Sequence, residues 1–313
     1  MAGLETEREP APPSTALTRR PWLASLLREL RPKQWTKNAI IFAGLVFARK
    51  LADPQAILLA SAAFLVFCLL SSAVYVINDL LDLEADRRHP RKRYRPLAAG
   101  EISPGQARAV VAALLVVSLP PAFALNPIFG LVATLYFVSN LAYSLRLKHV
   151  VIIDVFVIAA GFVLRAIAGA VVIRVDISPW FLLCTTLAAL FLALTKRRHE
   201  LELLSTGAAG HRRILEEYSQ PLLEEMVAVV TSSTVIAYAL YTFFAPNLPE
   251  NRSMMWTIPF VLYAIFRYLY LVYRKDLTGS PEEALLRDAP LLTCIVLWGL
   301  AVVAILYVPW PQG

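Results

Sequence analysis

The chain has 313 residues, of which 58% are hydrophobic, with a mean hydropathy of +0.59 and a net charge of +7. So large an apolar share excludes an ordinary soluble domain, and the long apolar runs predict one helical domain dissolved in lipid. The positive charge does not indicate a nucleic-acid partner. The basic residues lie in short loops between apolar runs, where membrane proteins carry them.

The N-terminal segment differs in composition from the rest of the chain. Residues 1–20 are polar and rich in proline, which predicts a disordered cytoplasmic tail and not a signal peptide. Residues 21–313 then form a single transmembrane domain. From 22 to 31, leucines recur at helical spacing with arginines beside them. This pattern indicates either a helix in the membrane interface or a first turn packed on the helical body.

Nine apolar stretches are candidates to cross a bilayer, which takes about 20 residues of helix. We therefore expect an all-α fold, an integral membrane bundle of about nine transmembrane helices. The first stretch is the weakest, because it is short and Asp53 and Pro54 follow it closely. The stretches are 38–51, 54–77, 104–124, 127–143, 151–173, 179–195, 224–245, 255–273 and 289–309.

The distribution of positive charge predicts the orientation of this bundle. If the N-terminus lies inside, 23 of the 30 Lys and Arg residues fall in cytoplasmic segments, 4 fall outside and 3 fall within spans. Cytoplasmic loops are enriched in Lys and Arg. The sequence thus predicts an internal N-terminus, an odd number of helices, and polar motifs that face the cytoplasm.

An acidic cluster follows the second apolar stretch, within YVINDLLDLEADRRHPRKRYRPLAAG at 75–100. Asp79, Asp82 and Asp86 are spaced three and four residues apart, so we expect them to share one helical face, with Asn78 beside them. Carboxylates on one face repel one another unless a cation lies between them. Oxygen ligands suit Mg²⁺, which is usually shared with substrate phosphates. We predict that all four residues bind Mg²⁺.

A basic stretch, RRHPRKRYR, supplies six Lys and Arg residues directly after the acids. Cation-bridging acids beside a basic patch predict a site for a diphosphate, with Arg93 and Arg95 as candidate ligands. The alternative is a charged helix end in which the acids form ion pairs with Arg87, Arg88 and Arg91.

These motifs resemble those of a known family. NDLLDLEAD at 78–86 resembles the first acidic motif, NDxxDxxxD, of the UbiA-type intramembrane prenyltransferase superfamily, and YSLRLK at 143–148 resembles its YSxxxK pattern. Nine helices with the N-terminus inside also match its architecture. Five further segments of the chain resemble one particular branch of this superfamily, the decaprenyl-phosphate 5-phosphoribosyltransferases. The segments concerned are RPKQWTKN at 31–38, HPRKRYRPLAAG at 89–100, DVFVIAAGFVLRAIAGA at 154–170, TKRRHEL at 195–201 and GSPEEALLRD at 279–288.

The chain departs from the general superfamily where a second Asp-rich motif is expected, since residues 196–198 read Lys-Arg-Arg. A second carboxylate-held Mg²⁺ is therefore doubtful, and cations there would attract a further phosphate. Phosphoribosyl pyrophosphate carries such a phosphate on its ribose, and a prenyl diphosphate does not. We assign Lys196 and Arg197 to this phosphate. Anchoring by positive charge on the inner side is the alternative.

The resemblance implies an Mg²⁺-dependent enzyme of the bacterial cytoplasmic membrane, with 21–313 as its catalytic domain. The phosphate of a polyprenyl (decaprenyl) phosphate would attack C1 of phosphoribosyl pyrophosphate and release pyrophosphate. Asn78, Asp79 and Asp82 would take part in catalysis. The runner-up is a prenyl diphosphate-using member that acts on an aromatic or polar acceptor. A transporter or channel is the third reading, but its site would lie near the bilayer midplane.

Four more residues are candidate substrate ligands. Lys37, at the mouth of the first stretch, is a phosphate contact or an interface anchor beside Trp35. The resemblance places Tyr143 and Lys148 in the site. Arg165 lies within a span, where a charge costs roughly 2.5–3.5 kcal/mol on insertion scales, so it should face a polar cavity or a partner. Substrate phosphate and an acid on another helix both stay open. Membrane lipids are further partners, and a homo-oligomer is compatible with the sequence.

Overall fold

The structure is a computed structural model that describes residues 21–205, 213–274 and 287–308. These ranges are helical and contain no β-strand. The predicted tail, 1–20, lies outside the described residues, as do positions 279–286 of the last segment that resembles the phosphoribosyltransferases.

Eight helices of the described chain are long and apolar enough to cross a membrane. They confirm the all-α membrane fold, and the predicted count of about nine exceeds them by one. In chain order the α-helices are α1 (Trp22–Glu29), α2 (Ala43–Phe47), α3 (Pro54–Leu81), α4 (Leu83–Arg88), α5 (Pro104–Leu125), α6 (Pro127–Leu145), α7 (Ile153–Val172), α8 (Pro179–Ser205), α9 (Gln220–Phe244), α10 (Ile258–Arg274) and α11 (Ala289–Tyr307). Short 3-10 helices lie at Pro32–Phe42, Lys92–Tyr94, Leu147–His149, Arg213–Glu217 and Ser253–Thr257.

The first predicted span, 38–51, is not a continuous α-helix, which corrects the sequence-based expectation. Pro32–Phe42 forms a 3-10 helix, and the α-helical part is limited to α2. This segment lies directly on α7. A Cβ atom added to Gly169 would fall 2.0 Å from the carbonyl oxygen of Ile41, so only glycine permits the contact between the two backbones.

The start of α3 explains why the preceding stretch ends early. Pro54 occupies the first turn of the helix, where its missing N–H costs no hydrogen bond. The Asp53 carboxylate accepts hydrogen bonds from the N–H groups of Gln55 and Ala56 at 3.1 and 3.2 Å. Asp53-Pro54 is therefore a helix start signal, since it satisfies donors that the first turn leaves unpaired.

Consecutive spanning helices pack side by side from α5 to α9, and α3 packs on α5 and α6. Buried apolar side chains form one main cluster among α3, α6 and α7 and another among α7, α8, α9 and α10. The outward faces also carry large apolar side chains, among them Leu58, Val116, Leu131 and Ile236. An apolar exterior around a helical bundle is what a lipid environment requires.

α1 lies beside the end of α3 with its polar side turned toward the protein. Ser25 and Glu29 are buried, whereas Trp22, Leu23 and Leu27 are exposed. The packing of this segment on the helical body is observed, and its place in the membrane interface stays a prediction. The helix packs on the body, and its outward apolar face suits a membrane interface.

Candidate active site

The acidic cluster is built around the end of α3, but not on one continuous helical face as predicted. α3 ends at Leu81, Asp82 adopts φ −96° and ψ 9°, and α4 begins at the next residue. The carbonyl group of Asn78 accepts the N–H of Asp82 at 3.0 Å and so closes the helix. The break turns Asp79 and Asp86 into the protein, each 2% exposed, and leaves Asp82 half-buried.

Each carboxylate of the cluster is paired with a basic side chain. Arg95 Nη1 donates to Asp79 Oδ1 at 2.9 Å and also to Asp86, so one guanidinium bridges the two buried acids. Arg31 donates to the other oxygen of Asp79. Lys148 Nζ donates to Asp82 Oδ1 at 2.9 Å. The three acids and the cations that pair with them therefore come from four separate segments of the chain, between residues 31 and 148.

Only some of the predicted phosphate ligands lie at the acidic cluster in the structure. Arg95 and Lys148 contact the acids, whereas Arg93 is exposed and bonds the hydroxyl of its neighbour Tyr94 at 2.7 Å. The structure thus does not bring Arg93 to the cluster. Lys37 is half-buried in the first 3-10 helix, and its assignment stays a prediction. Arg31 was not singled out, although it opens the RPKQWTKN segment.

The alternative of a plain charged helix end is not what the structure contains. Arg87 pairs with the exposed Glu84 at 2.7 Å, away from the buried acids. Arg88 and Arg91 are exposed. The cations that bind the cluster are Lys92 and Arg95, which lie later in the same basic stretch, and Arg31 and Lys148, which come from distant segments. The arrangement therefore depends in part on the tertiary fold.

A fourth acid, Glu29 of α1, lies against Asp79. Its side chain is buried, and neither carboxylate oxygen forms a hydrogen bond of good geometry with the described residues. Burial, with a further contribution from the charge of Asp79, raises the pKa of Glu29 to about 7. The sequence analysis missed this residue. The sequence pattern that could have identified Glu29 is its spacing of four residues from Ser25, which places both on one polar face of an otherwise apolar helix.

The donor set fits Mg²⁺ in its chemistry. The acids offer hard oxygen ligands, and the oxygens of Glu29 form no hydrogen bond of good geometry within the described part of the chain. Among the described residues, no three Asp, Glu, His or Cys side chains lie close enough to hold a metal ion as they stand. Arg31, Arg95 and Lys148 occupy the carboxylates instead. A metal ion at this place would displace these cations from the carboxylates, and a substrate phosphate could then receive them.

Arg197 lies in a buried ion-pair network, so its assignment to the ribose phosphate stays a prediction and would need the guanidinium to leave these partners. It is 2% exposed and donates to the fully buried Asp154 at 2.7 Å and to Glu200 at 2.5 Å. Its remaining nitrogen reaches the hydroxyl of Tyr143 at 3.3 Å. Arg197 thus links the end of α8 to α7 and to the YSLRLK motif. Lys196 is half-buried beside it, and its assignment stays a prediction.

Tyr218 completes this buried network, and the sequence analysis did not identify it. Its hydroxyl donates to Asp154 at 2.8 Å and accepts the N–H of Ile152 at 2.8 Å. Burial and the hydrogen bond to Asp154 raise the pKa of Tyr218 to about 12. Ile152 has φ 69°, a strained value for a β-branched residue, so the network holds the backbone in place at the start of α7.

Arg165 is 6% exposed and forms hydrogen bonds to neutral acceptors within the described chain. It donates to Asn38 Oδ1 at 2.6 Å, to the hydroxyl of Tyr136 at 2.6 Å and to the carbonyl of Gly161 at 2.9 Å. The alternative of an ion pair with an acid is therefore not observed. Asn38 in turn bonds Ser71 on α3, which precedes Asp79 by eight residues, or roughly 12 Å along the helix axis at 1.5 Å per residue.

An apolar cavity of about 780 Å³ lies between the first 3-10 helix, α8, α9 and α11. Its wall is almost entirely hydrocarbon and aromatic. Residues that line it include Ala39, Phe162, Leu192, Tyr238, Tyr241 and Trp298.

Comparisons with known proteins agree with this architecture. Residues 39–289 match the UbiA prenyltransferase family. The chain is 35% identical to decaprenyl-phosphate phosphoribosyltransferase of Mycobacterium tuberculosis over 280 residues, which cover 88% of this chain and 92% of the relative. It is 34% identical to the protein of the same name from Corynebacterium glutamicum over 290 residues, 90% of this chain and 87% of the relative.

A solved structure shares the fold. The UbiA homolog from Archaeoglobus fulgidus bound to GPP and Mg²⁺ superimposes with a TM-score of 0.68 at 21% identity, covering 91% of this chain and 100% of that one. The chain belongs to the UbiA prenyltransferase family and is a membrane-embedded transferase of that family.

Proposed function

We propose that this chain transfers the 5-phosphoribosyl group of phosphoribosyl pyrophosphate to a polyprenyl phosphate such as decaprenyl phosphate. The observation that carries the proposal is the pairing of Asp79, Asp82 and Asp86 with basic side chains in one cluster. Carboxylates bind the metal that accompanies a diphosphate, and cations beside them bind its oxygens. The two relatives above carry this activity in their names.

The reaction requires little covalent chemistry from the protein. An oxygen of the lipid phosphate forms a bond to C1 of the ribose, while the bond from C1 to the pyrophosphate oxygen breaks and pyrophosphate leaves with the electron pair. The nucleophile is already an anion, so no general base is needed. Catalysis then consists of positioning the two substrates and stabilising the negative charge on the leaving group.

The residues of the cluster divide this work. Asn78, Asp79, Asp82 and Asp86 would hold Mg²⁺, which when bound neutralises negative charge on pyrophosphate. Arg31, Arg95 and Lys148 would release their carboxylates and donate to phosphate oxygens. Lys37 and Lys196 are further candidates for phosphate contact, and Tyr143 for orienting the donor.

The apolar cavity offers a place for the lipid substrate. A wall of hydrocarbon and aromatic side chains suits an isoprenoid chain, which has no polar group to satisfy. The excess of Lys and Arg in one set of loops supports an internal N-terminus and an acidic cluster that faces the cytoplasm, in the inner membrane of a bacterium.

The test uses purified protein in detergent with decaprenyl phosphate, phosphoribosyl pyrophosphate and Mg²⁺. We expect pyrophosphate release and a new lipid-linked phosphoribose, both lost in EDTA and restored by excess Mg²⁺. Transfer of a prenyl group from a prenyl diphosphate, with no reaction of phosphoribosyl pyrophosphate, would refute the proposal and establish the runner-up.

A further inference from the structure

Glu29 occupies a place that the packing of α1 alone does not explain. The helix is attached to the protein through polar contacts, since Ser25 Oγ donates to Glu101 at 2.6 Å and the carbonyl of Leu30 accepts from Ser72 at 2.8 Å. Its apolar residues point outward. Because Glu29 is buried on this inner face, its carboxyl group requires a polar partner.

The structure gives Glu29 no such partner. The side chain is 2% exposed, and both carboxylate oxygens are inaccessible to solvent. The Leu97 N–H and the Asp79 carboxylate lie near, but no hydrogen bond of good geometry joins Glu29 to the described residues. The adjacent Arg31 donates to Asp79, so it does not serve Glu29. Buried polar groups in native proteins are almost always satisfied, and an orphaned one calls for an unseen ion or another specific role.

The environment of Glu29 indicates what the missing partner is. The carboxylate lies against Asp79, itself 2% exposed, so two acids meet in a region that excludes water. Arg31 and Arg95 pair with Asp79, so Glu29 is the carboxyl group that has no ion pair among the described residues to offset the neighbouring negative charge. Oxygen ligands from two carboxylates favour a hard divalent ion.

We propose that Glu29 is a further ligand of the divalent cation, contributed by α1 and not by the acidic motif on α3. The proposal rests on the metal site of the proposed function. It makes α1 part of the active site, because this helix, whose apolar side chains Trp22, Leu23 and Leu27 are exposed, would deliver a carboxylate to the ion held by Asp79.

The test measures metal binding alone. Mn²⁺ binding to the full chain in detergent, without substrate, is followed by electron paramagnetic resonance and calorimetry. We expect Glu29→Gln to weaken Mn²⁺ binding about 10- to 100-fold and Glu29→Asp to recover part of the affinity. Glu101→Gln is the matched control, because Glu101 also contacts α1 yet lies outside the acidic cluster. It should bind Mn²⁺ like the unsubstituted protein.

A second measurement guards against misfolding. Glu29→Gln removes a buried ionisable carboxyl group beside Asp79, so its metal-free melting temperature should equal or exceed that of the unsubstituted chain, and the stabilisation by Mn²⁺ should shrink. Unchanged Mn²⁺ affinity in Glu29→Gln, equal loss of affinity in Glu101→Gln, or failure of Glu29→Gln to fold would each overturn the proposal. Absence of phosphoribosyl transfer would refute the proposed function and leave these metal measurements unaffected.

Discussion

Arg95 holds two buried carboxylates at once, and this single side chain accounts for much of the local electrostatics. Its Nη1 atom donates to both Asp79 and Asp86, which are almost inaccessible to solvent. Two buried acids without a cation would be strongly destabilising, since each lost partner leaves an uncompensated charge. The same arrangement keeps a guanidinium ready beside the carboxylates, where a phosphate-bound metal would displace it.

Asp79 is the acid on which the proposed chemistry depends most. Asp79→Asn keeps the size of the side chain but replaces one acceptor oxygen with an NH2 donor and removes a negative charge that would bind the metal. We expect pyrophosphate release to fall by at least about 100-fold. Glu84→Gln is the control, because Glu84 lies on the exposed side of α4 and pairs with Arg87. Comparable turnover in the two variants would remove Asp79 from the metal site.

At the scale of elements, the junction of α6, α7 and α8 is fixed by the buried pair of Asp154 and Arg197. The pair joins the start of α7 to the end of α8, and Tyr218 ties it to the segment before α9. The 43-residue separation of the pair means that it forms only when the two helices pack. The contribution of this ion pair to stability therefore measures the packing of α7 on α8 and not the local structure of either helix.

Asp154→Asn should destabilise the protein by about 3–5 kcal/mol, because Arg197 then becomes a poorly compensated buried charge. The melting temperature in detergent measures the effect. Combining it with Arg197→Gln should give a double variant that is more stable than the sum of the single changes predicts. Strict additivity would mean that the two side chains do not interact in solution.

The contact between the first 3-10 helix and α7 is set by a glycine. Gly169→Ala would place a methyl group 2.0 Å from the backbone oxygen of Ile41, and backbone cannot move aside as a side chain can. We expect a loss of about 1–3 kcal/mol in stability. Gly299→Ala on α11 is the control, since a Cβ there meets nothing within 4 Å. Equal melting temperatures for the two variants would contradict the close contact.

The whole molecule contains two chemically different regions where substrates could bind. One end of α3 carries charged groups, and the space between the first 3-10 helix, α8, α9 and α11 is apolar. A lipid phosphate has the same division into a charged head and a hydrocarbon chain. The fold thus suits a reaction in which one substrate is drawn from the membrane and the other from water.

Narrowing the cavity should affect the lipid substrate selectively. Ala188 lines the cavity, so Ala188→Trp is expected to raise the apparent KM for decaprenyl phosphate roughly tenfold and to leave the KM for phosphoribosyl pyrophosphate unchanged. Val116→Trp, on the outer face of α5, serves as the control. A parallel rise in both KM values would show that the cavity does not hold the lipid.

Membrane fold and acidic motif followed from sequence because both depend on local properties. A bilayer requires about 20 apolar residues in a row, and eight of the nine predicted stretches became spanning helices. The stretch at 38–51 is not one continuous α-helix, and it packs closely on Gly169, a residue far along the chain that the pattern of the stretch itself does not reveal. Arg95 lies close enough in sequence to Asp79 and Asp86 to be expected beside them.

Tertiary packing alone decided which charges meet across long separations. Arg31 and Asp79 are 48 residues apart, and Lys148 and Asp82 are 66 apart. The burial of Arg197 and the orphaned carboxylate of Glu29 were likewise invisible in the sequence, because a charged residue in a loop or on a short helix is normally solvated. Hydrophobic periodicity reports how one segment meets lipid, whereas the partner of a charge depends on every helix packed around it.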